Sequence, residues 1–544
     1  MKRLILLLLI STSVFGQETK DYSQRIDSIF QEYNSTGPGC AIAIVKDGRM
    51  IFSKGYGLAS LDYDIPNTPN TVFDIASVSK QFAAYAIATL LEEKKLSLQD
   101  DIRKYIPEVP DFGKTITIDH LLHHTSGLRD WTETLAVAGW RGEEVYSMDD
   151  IMRMLKRQKG LDFPPGSKYQ YSNTGYNLLA ILVERITGKS FLNWTQENIY
   201  GPLGMTSTQF LGNHRRIIKN QAYSYYPEDG KFMKANSQLT ALGSSSMFTS
   251  VNDFSKWMIS VINGIREQKP EYTRMLQTGT LETGEKITYA FGLVVEPYKG
   301  VRRVSHTGSW AGYRSVGNYY PDQNFGVVIL ANTSTFSRSM ADRVAELFIG
   351  EQLKVPAGAV VKGVSPADPT VKVDTMILRK HTGLYKLGPG WLVNITLENG
   401  SLMTRATDED KFPLEAKNDS AFWVPAYGAS MTFNKDKQGR SYQLTYKAIE
   451  AKRVQPFTSD PKTFQEYAGQ YYSEELSTVY RLYVKDGKLM MEHMRNGEHE
   501  VKAIGKDEFF SNGAGELQFQ RNGKKVIGFN LSAGRIKNLK FVKW

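Results

Sequence analysis

Between residues 22 and 350 the spacing of apolar positions switches repeatedly between strand-like runs and a helical period. Ala41 to Val45 is a continuous apolar run, Asp47-Gly48 follows, and Met50 to Gly57 resumes. An Asp-Gly pair between two such runs predicts a β-hairpin. From Val78 to Leu91, the residues Phe82, Ala83, Ala86, Ile87, Leu90 and Leu91 recur at helical spacing with no interior Gly or Pro, which predicts a largely buried helix. A second helix is expected from about Gly175 to Ile186. Further on, Phe291 to Val295, Arg303 to His306, Ser315 to Tyr320 and Val327 to Ala331 read as strands between Gly, Pro and Asp turns, before a helix from about Arg338 to Phe348. The mixture places residues 22–350 in the α+β class.

The pattern lapses over 351–373, where Pro356, Gly358, Gly363, Pro366 and Pro369 give the composition of a linker. Beyond it the helical period disappears, and short strands with Asn-Gly, Asp-Gly and Gly-Arg turns run to Trp544. This tail repeats itself. Gly383 and Tyr385 match Gly469 and Tyr471, Gly400 and Leu402 match Gly487 and Leu489, and Phe422 matches Phe509, at offsets of 86, 87 and 87 residues. Two related β modules, 374–457 and 460–544, follow from that register. Two small antiparallel barrels are preferred to a single larger one built from two halves.

The first residues change the cellular setting. Met1-Lys2-Arg3 precedes an apolar run from Leu4 to Ile10, which has the charged start and short greasy centre of a secretory signal peptide, assigned to residues 1–16 with cleavage after Gly16. The run is well short of the ~20 residues that span a bilayer, so an exported protein, periplasmic or extracellular, is expected rather than an anchored one. The single cysteine, Cys40, excludes an intramolecular disulfide, and its place in Gly39-Cys40-Ala41-Ile42 suits a structural thiol better than a nucleophile. Net charge is +10, and +8 once Lys2 and Arg3 leave with the signal (10 − 2). No block of Lys and Arg stands out, so a nucleic-acid groove is not indicated.

Three short segments carry candidate chemistry. Ser77-Val78-Ser79-Lys80 opens the first helix, and a spacing of three puts hydroxyl and amine on one face, where they can share a proton. Alone, such a pair is usually a solvated helix start. Tyr171-Ser172-Asn173 follows a loop stiffened by Pro164-Pro165-Gly166; Tyr171 is placed to relay a proton and Asn173 to bond a substrate amide, against the plainer reading of a packed tyrosine and a helix cap. His306-Thr307-Gly308-Ser309 ends a predicted strand whose free edge can pair with an extended acyl group, Gly308 allowing close approach. His120, His123 and His124 lack the His-Glu-x-x-His spacing of zinc hydrolases, so no metal and no cofactor is called for. No Gly-x-Ser-x-Gly elbow occurs.

In this order the three segments resemble those of the serine β-lactamase and penicillin-binding-protein superfamily, nearest to the class C-like peptidase family S12 of D-alanyl-D-alanine carboxypeptidases, D-aminopeptidases and esterases. Leu121-Leu122-His123-His124-Thr125-Ser126-Gly127-Leu128, Gly201-Pro202-Leu203-Gly204-Met205 and Gly326-Val327-Val328-Ile329-Leu330-Ala331-Asn332 extend the likeness over residues 22–350. The resemblance implies a β-lactamase-like domain, with an antiparallel sheet flanked by helices and a helical subdomain, ahead of lipocalin-like barrel modules. It implies Ser77 as acylated nucleophile, Lys80 as its base, Tyr171 as proton relay, Asn173, His306, Thr307, Gly308 and Ser309 as substrate-binding residues, and the backbone N–H groups of Ser77 and Ser309 as the oxyanion hole. His306 stands where many relatives have lysine, which weakens carboxylate recognition; Arg302, Arg303 and Arg314 are the nearby cations that could replace it. The expected activity is hydrolysis, through an acyl-enzyme, of small D-amino-acid-containing peptides, amides or esters, of carboxypeptidase, aminopeptidase or esterase type, with cell-wall fragments among the candidate substrates. The alternatives are a β-lactamase, or a penicillin-binding sensor or envelope-binding protein without turnover. No oligomeric state is implied.

Overall fold

The computed structural model describes residues 22–33, 36–354, 369–388, 390–407, 411–425, 429–446, 449–454, 457 and 460–544. The expected signal peptide and most of the linker lie outside the described residues. Among the described residues, no helix is long and apolar enough to cross a membrane.

The first unit is built on a six-stranded antiparallel sheet of β1 (Cys40–Lys46), β2 (Arg49–Tyr56), β3 (Val294–Tyr298), β4 (Val301–Trp310), β5 (Tyr313–Tyr320) and β6 (Phe325–Ala331), in the order β3-β4-β5-β6-β1-β2. Ala41, Ala43 and Val45 of β1 face one core, and Cys40, Ile42 and Ile44 face another. A strand covered on both sides has no polar face to alternate with, which is why its sequence is a continuous apolar run. One core holds α2 (Lys80–Glu92), α3 (Asn173–Thr187) and α4 (Val251–Arg266); the other holds α1 (residues 22–29) and α5 (Ser339–Ile349). Asp47 and Gly48 both take positive φ, 51° and 73°, and close the predicted β1–β2 hairpin. The expected strand Phe291 to Val295 is displaced: Phe291 lies in a bend with Gly292 at φ 68°, and the strand begins at Val294.

Residues 383–453 form a nine-stranded antiparallel sheet whose two edge strands, Lys411–Pro413 and Glu415–Ala416, are separated in the chain by Leu414 alone, so the sheet curls back towards itself. Residues 469–543 form a closed eight-stranded barrel, sealed by pairing of Gly469–Ser473 with Ile536–Lys543. The sequence repeat has a structural counterpart. Gly383 and Gly469 share φ 146°, a conformation open essentially to glycine alone. Two residues on, the Tyr385 hydroxyl donates to His381 O at 2.8 Å and the Tyr471 hydroxyl to Tyr467 O at 2.6 Å. The α+β fold class with all-β C-terminal modules is the one expected.

Candidate active site

Ser77 lies in a 3₁₀ turn, Ala76–Ser79, that leads directly into α2. The helical run therefore starts one tight turn before Val78, where the sequence pattern puts it. A 3₁₀ turn has three residues per turn, so side chains three apart eclipse. Lys80 Nζ accordingly sits over Ser77 Oγ at 3.1 Å. Ala76 holds a positive φ of 48°, and its N–H is fixed by Asp74 Oδ1 at 2.8 Å. Glycine makes the close packing possible. A Cβ on Gly308 would overlap Ser315 Oγ and the Ile75 carbonyl, so the space attributed to a substrate backbone is filled by the protein's own Ile75–Ala76 turn. A Cβ on Gly292 would lie 2.8 Å from Lys80 C.

Lys80 is fully buried, and its amine reaches three acceptors: Ser77 Oγ, Asn173 Oδ1 at 2.8 Å and Ser244 O at 2.8 Å. An ammonium has three N–H donors and satisfies all of them. Burial holds this amine well below the usual lysine range, and Arg535 lowers it further while Asp130 raises it. A neutral amine keeps two donors for the two carbonyl oxygens, which only accept. Its lone pair is then left to the one partner that can donate, the Ser77 hydroxyl. Ser77 is itself half-exposed amid buried neighbours, so the hydroxyl remains open to the cleft.

Tyr171 and Asn173 meet this pair from the loop before α3. Lys80 Nζ is 4.9 Å from the centre of the Tyr171 ring, and Ser77 is among the groups that act on the Tyr171 phenol. Burial pushes that phenol up, so it stays protonated at neutral pH. Asn173 is the first residue of α3, and both ends of its amide are engaged: Oδ1 accepts from Lys80, and Nδ2 donates to Asp130 Oδ2 at 3.0 Å. Asp130 also accepts the Asn173 N–H at 2.6 Å. His124 carries the loop from below, its Nδ1 accepting the Ser172 N–H at 3.1 Å with φ 58°. His120 accepts the Thr117 N–H at 3.2 Å through Nδ1, and His123 Nδ1 lies 3.0 Å from Asp119, so each histidine of this segment is tied to protein groups.

The strand motif joins them on β4. Pairing with β3 covers Val301 to Ser305 and ends there, so from His306 onwards this edge of β4 is left uncovered by β3. His306 lies between the Tyr289 hydroxyl, 3.0 Å from Nε2, and the Thr307 carbonyl, 2.7 Å from Nδ1. Burial and the Lys80 charge push it down to about 3. This imidazole is therefore neutral throughout the physiological range, which further weakens carboxylate recognition at the position. The suggested arginines do not compensate. Arg302 pairs with Asp322, Arg303 with Glu296 and Asp342, and Arg314 donates to the Ala311 and Tyr313 carbonyls.

A cation does reach the cleft, from the far end of the chain. The hairpin tip Gly534-Arg535 of the closed barrel lies against the Trp131–Val137 helix, with Arg535 Nε 2.6 Å from Glu133 and Nη2 3.4 Å from Asp130. Its guanidinium is 5.7 Å from the centre of the Tyr171 ring. Buried Arg129 clamps the barrel beside it, with Nη1 2.5 Å from Asp162 and Nε 2.6 Å from Glu475. Asp130, the Ser244 carbonyl and Arg535 belong to no motif. Arg535 is 458 residues from Ser77 (535 − 77) in a repeat that reads as a β module, so no local pattern points to it.

The structure thus gathers Ser77, Lys80, Tyr171, Asn173 and His306 around one cleft and puts Thr307, Gly308 and Ser309 on its bordering strand. The fold is that of a serine hydrolase, and it sets the Ser77 hydroxyl against the Lys80 amine. A sequence model of the Beta-lactamase family matches residues 26–349, more than half of the chain. The chain is 28% identical over 415 residues to Penicillin-binding protein 4* of Bacillus subtilis (strain 168), covering 72% of this chain and 89% of that protein. It is 27% identical over 339 residues to a D-aminopeptidase of Brucella anthropi, covering 62% and 64%. Its fold matches the octameric penicillin-binding protein homologue from Pyrococcus abyssi with a TM-score of 0.56 at 22% identity, over 88% of this chain and 99% of that one. The chain belongs to the Beta-lactamase family.

Proposed function

We propose that the protein is an exported hydrolase that opens amide or ester bonds of small, D-amino-acid-containing substrates through an acyl-enzyme on Ser77. The observation that carries this reading is the set of partners around Lys80, in which two acceptor-only carbonyls turn the lone pair of the amine to the Ser77 hydroxyl. Lys80 takes the hydroxyl proton as Oγ bonds to the substrate carbonyl carbon, and the backbone N–H groups of Ser77 and Ser309 hold the resulting oxyanion. Losing one such donor typically costs ~10²–10³ in turnover. The protonated phenol of Tyr171 donates to the departing amine or alkoxide, and the proton on Lys80 replaces it. Water then attacks the ester carbonyl carbon, giving a proton to Lys80, which passes it to Ser77 Oγ as the C–O bond breaks, so the acid leaves and both groups are restored. Asn173 holds Lys80 through Oδ1 and Asp130 through one Nδ2–H, and offers its second Nδ2–H to the substrate.

The D-aminopeptidase relative supports the substrate class, and the neutral His306 favours an uncharged group over a carboxylate at that end of the cleft. Export rests on the apolar leader of residues 1–16. The test is a panel of D-alanyl-D-alanine peptides, N-terminal D-amino-acid amides, short p-nitrophenyl esters and nitrocefin, with wild type and Ser77→Ala. Turnover of amides or esters that disappears in Ser77→Ala is expected; nitrocefin as the preferred substrate, or activity surviving the substitution, contradicts the proposal.

A further inference from the structure

His306 is neutral, and the cation on the β4 side is Arg338, which donates to Gly308 O at 3.3 Å. A second positive charge comes from the barrel. Arg535 rests on Asp130 at 3.4 Å and Glu133 at 2.6 Å. Asp130 in turn accepts both N–H groups of Asn173, and Asn173 Oδ1 holds Lys80 at 2.8 Å. A continuous line of contacts therefore runs Arg535, Asp130, Asn173, Lys80, Ser77. We propose that Arg535 is a positioning residue of the catalytic centre: by countering the charge of the buried Asp130 carboxylate, the barrel sets the field in which Lys80 exchanges its proton with Ser77. The proposal rests on the reading of Ser77 as nucleophile and Lys80 as base.

The groups facing Lys80 from every side support it. The rings of Tyr171 and Tyr176 lie 4.9 and 5.6 Å from Nζ, and burial keeps both phenols protonated. His124 and His306 feel the lysine charge and are held neutral, burial being the larger cause in each. Arg338 donates to Gly308 O at 3.3 Å on the β4 side. Asp130 and Arg535 are the charged groups that act on Lys80 itself, and they act in opposite directions. Asp130 favours the ammonium and Arg535 the amine. With the Arg535 charge gone, Lys80 keeps its proton to higher pH, and less of it is amine at any pH below the new midpoint. A midpoint moved by one pH unit changes the amine fraction below it by about tenfold.

The side chain can be changed without releasing the hairpin. The Arg535 N–H donates to Glu133, Gln170 Nε2 donates to Arg535 O at 2.5 Å, Lys537 N donates to Asp162 at 2.9 Å, and Tyr480 OH donates to Val137 O at 2.9 Å. None of these uses the guanidinium. Asp130 also keeps the Thr132 N–H at 3.0 Å and its Asn173 donors.

The test is the second-order rate of Ser77 labelling by a fluorophosphonate, followed from about pH 5 to 10 on full-length wild type, Arg535→Gln, Arg535→Lys and Ser77→Ala. Arg535→Gln should move the acid limb up by about one pH unit, a loss of about tenfold at pH below the limb with little change on the alkaline plateau. Arg535→Lys, which keeps the charge, should stay near wild type. An arginine that served only to hold the barrel would lower the rate equally at every pH, and an unmoved limb in Arg535→Gln, at whatever overall rate, overturns the proposal. If Arg535→Gln does not fold, Asp130→Asn removes the opposing charge and should move the limb down; a limb that stays then overturns it equally. Labelling that persists in Ser77→Ala would refute the underlying assignment instead, whereas labelling lost in Ser77→Ala with an unmoved limb refutes the role of Arg535 alone.

Discussion

Replacing Arg129 by Met removes the cation that joins the barrel to the first unit. Its partners are Asp162, with a fully buried side chain 2.5 Å away, and Glu475, 6% exposed and 2.6 Å away; the Lys537 carbonyl, at 2.5 Å, loses a donor as well. Removing one member of a buried ion pair typically costs ~3–5 kcal/mol, because the charge left behind is neither solvated nor paired. Asp162 keeps only Lys537 N at 2.9 Å and Gln170 Nε2 at 3.3 Å, so Arg129→Met is expected to cost about 4 kcal/mol at pH 8. The loss should depend on pH. Burial already pushes Asp162 up to about 6 with Arg129 in place. A carboxyl whose folded pKa exceeds its unfolded value binds its proton more tightly when folded, so its contribution to stability falls as pH rises between the two values. Without Arg129 that window extends further up, and the penalty at pH 5 should be clearly smaller than at pH 8. Urea unfolding followed by tryptophan fluorescence at the two pH values measures both. A loss below about 1 kcal/mol, or one equal at both pH values, would refute the reading of this contact as a buried, charged clamp.

The glycine of the strand motif is predicted to be intolerant of any side chain: Gly308→Ala should push the Ile75–Ala76 turn aside and lower turnover by about 10²-fold or more, with far-ultraviolet circular dichroism unchanged. Burial pushes Asp74 up to about 7, so its folded state binds the proton more tightly and stability declines as pH rises from the unfolded carboxyl value through about 7. Asp74→Asn, which can still accept the Ala76 N–H, should remove that decline and raise stability above pH 7 by up to about 4 kcal/mol, read from thermal unfolding against pH. His306, pushed down to about 3 by burial and Lys80, should keep the nuclear magnetic resonance shifts of a neutral imidazole down to about pH 5; a titration midpoint above pH 6 would contradict its placement.

The elements that sequence reading locates are those with a local cause. The β1–β2 hairpin announces itself through Asp47-Gly48, and α2 through its apolar spacing and lack of breakers. The tail repeat shows because Gly383 and Gly469 adopt the same glycine-only conformation. Ser77, Lys80, Tyr171 and Asn173 come together as expected because each lies beside a helix start whose position the pattern fixes to within a few residues. What escapes is whatever depends on contacts between distant segments. Phe291 reads as strand by composition, yet Gly292 must turn there to pass the start of α2, its missing side chain leaving room for Gln81 N and Lys80 C. His306 has an ordinary imidazole pKa in sequence, and only the packing of Tyr289 and Lys80 around it makes it neutral. Asp130 follows an arginine in a polar stretch and gives no hint that it will orient Asn173, while the guanidinium above it arrives from a module with no catalytic pattern of its own.

The most direct measurement is to react the protein with p-nitrophenyl acetate, quench in acid during the first turnovers, and map the acetylated peptide by tandem mass spectrometry in wild type and Lys80→Met. An acetyl group on Ser77 in wild type, and its absence from folded Lys80→Met, is the predicted result. Acetylation at another residue, or Ser77 acetylated at the wild-type rate without the amine, would contradict the pairing of hydroxyl and lysine from which the proposed mechanism is built.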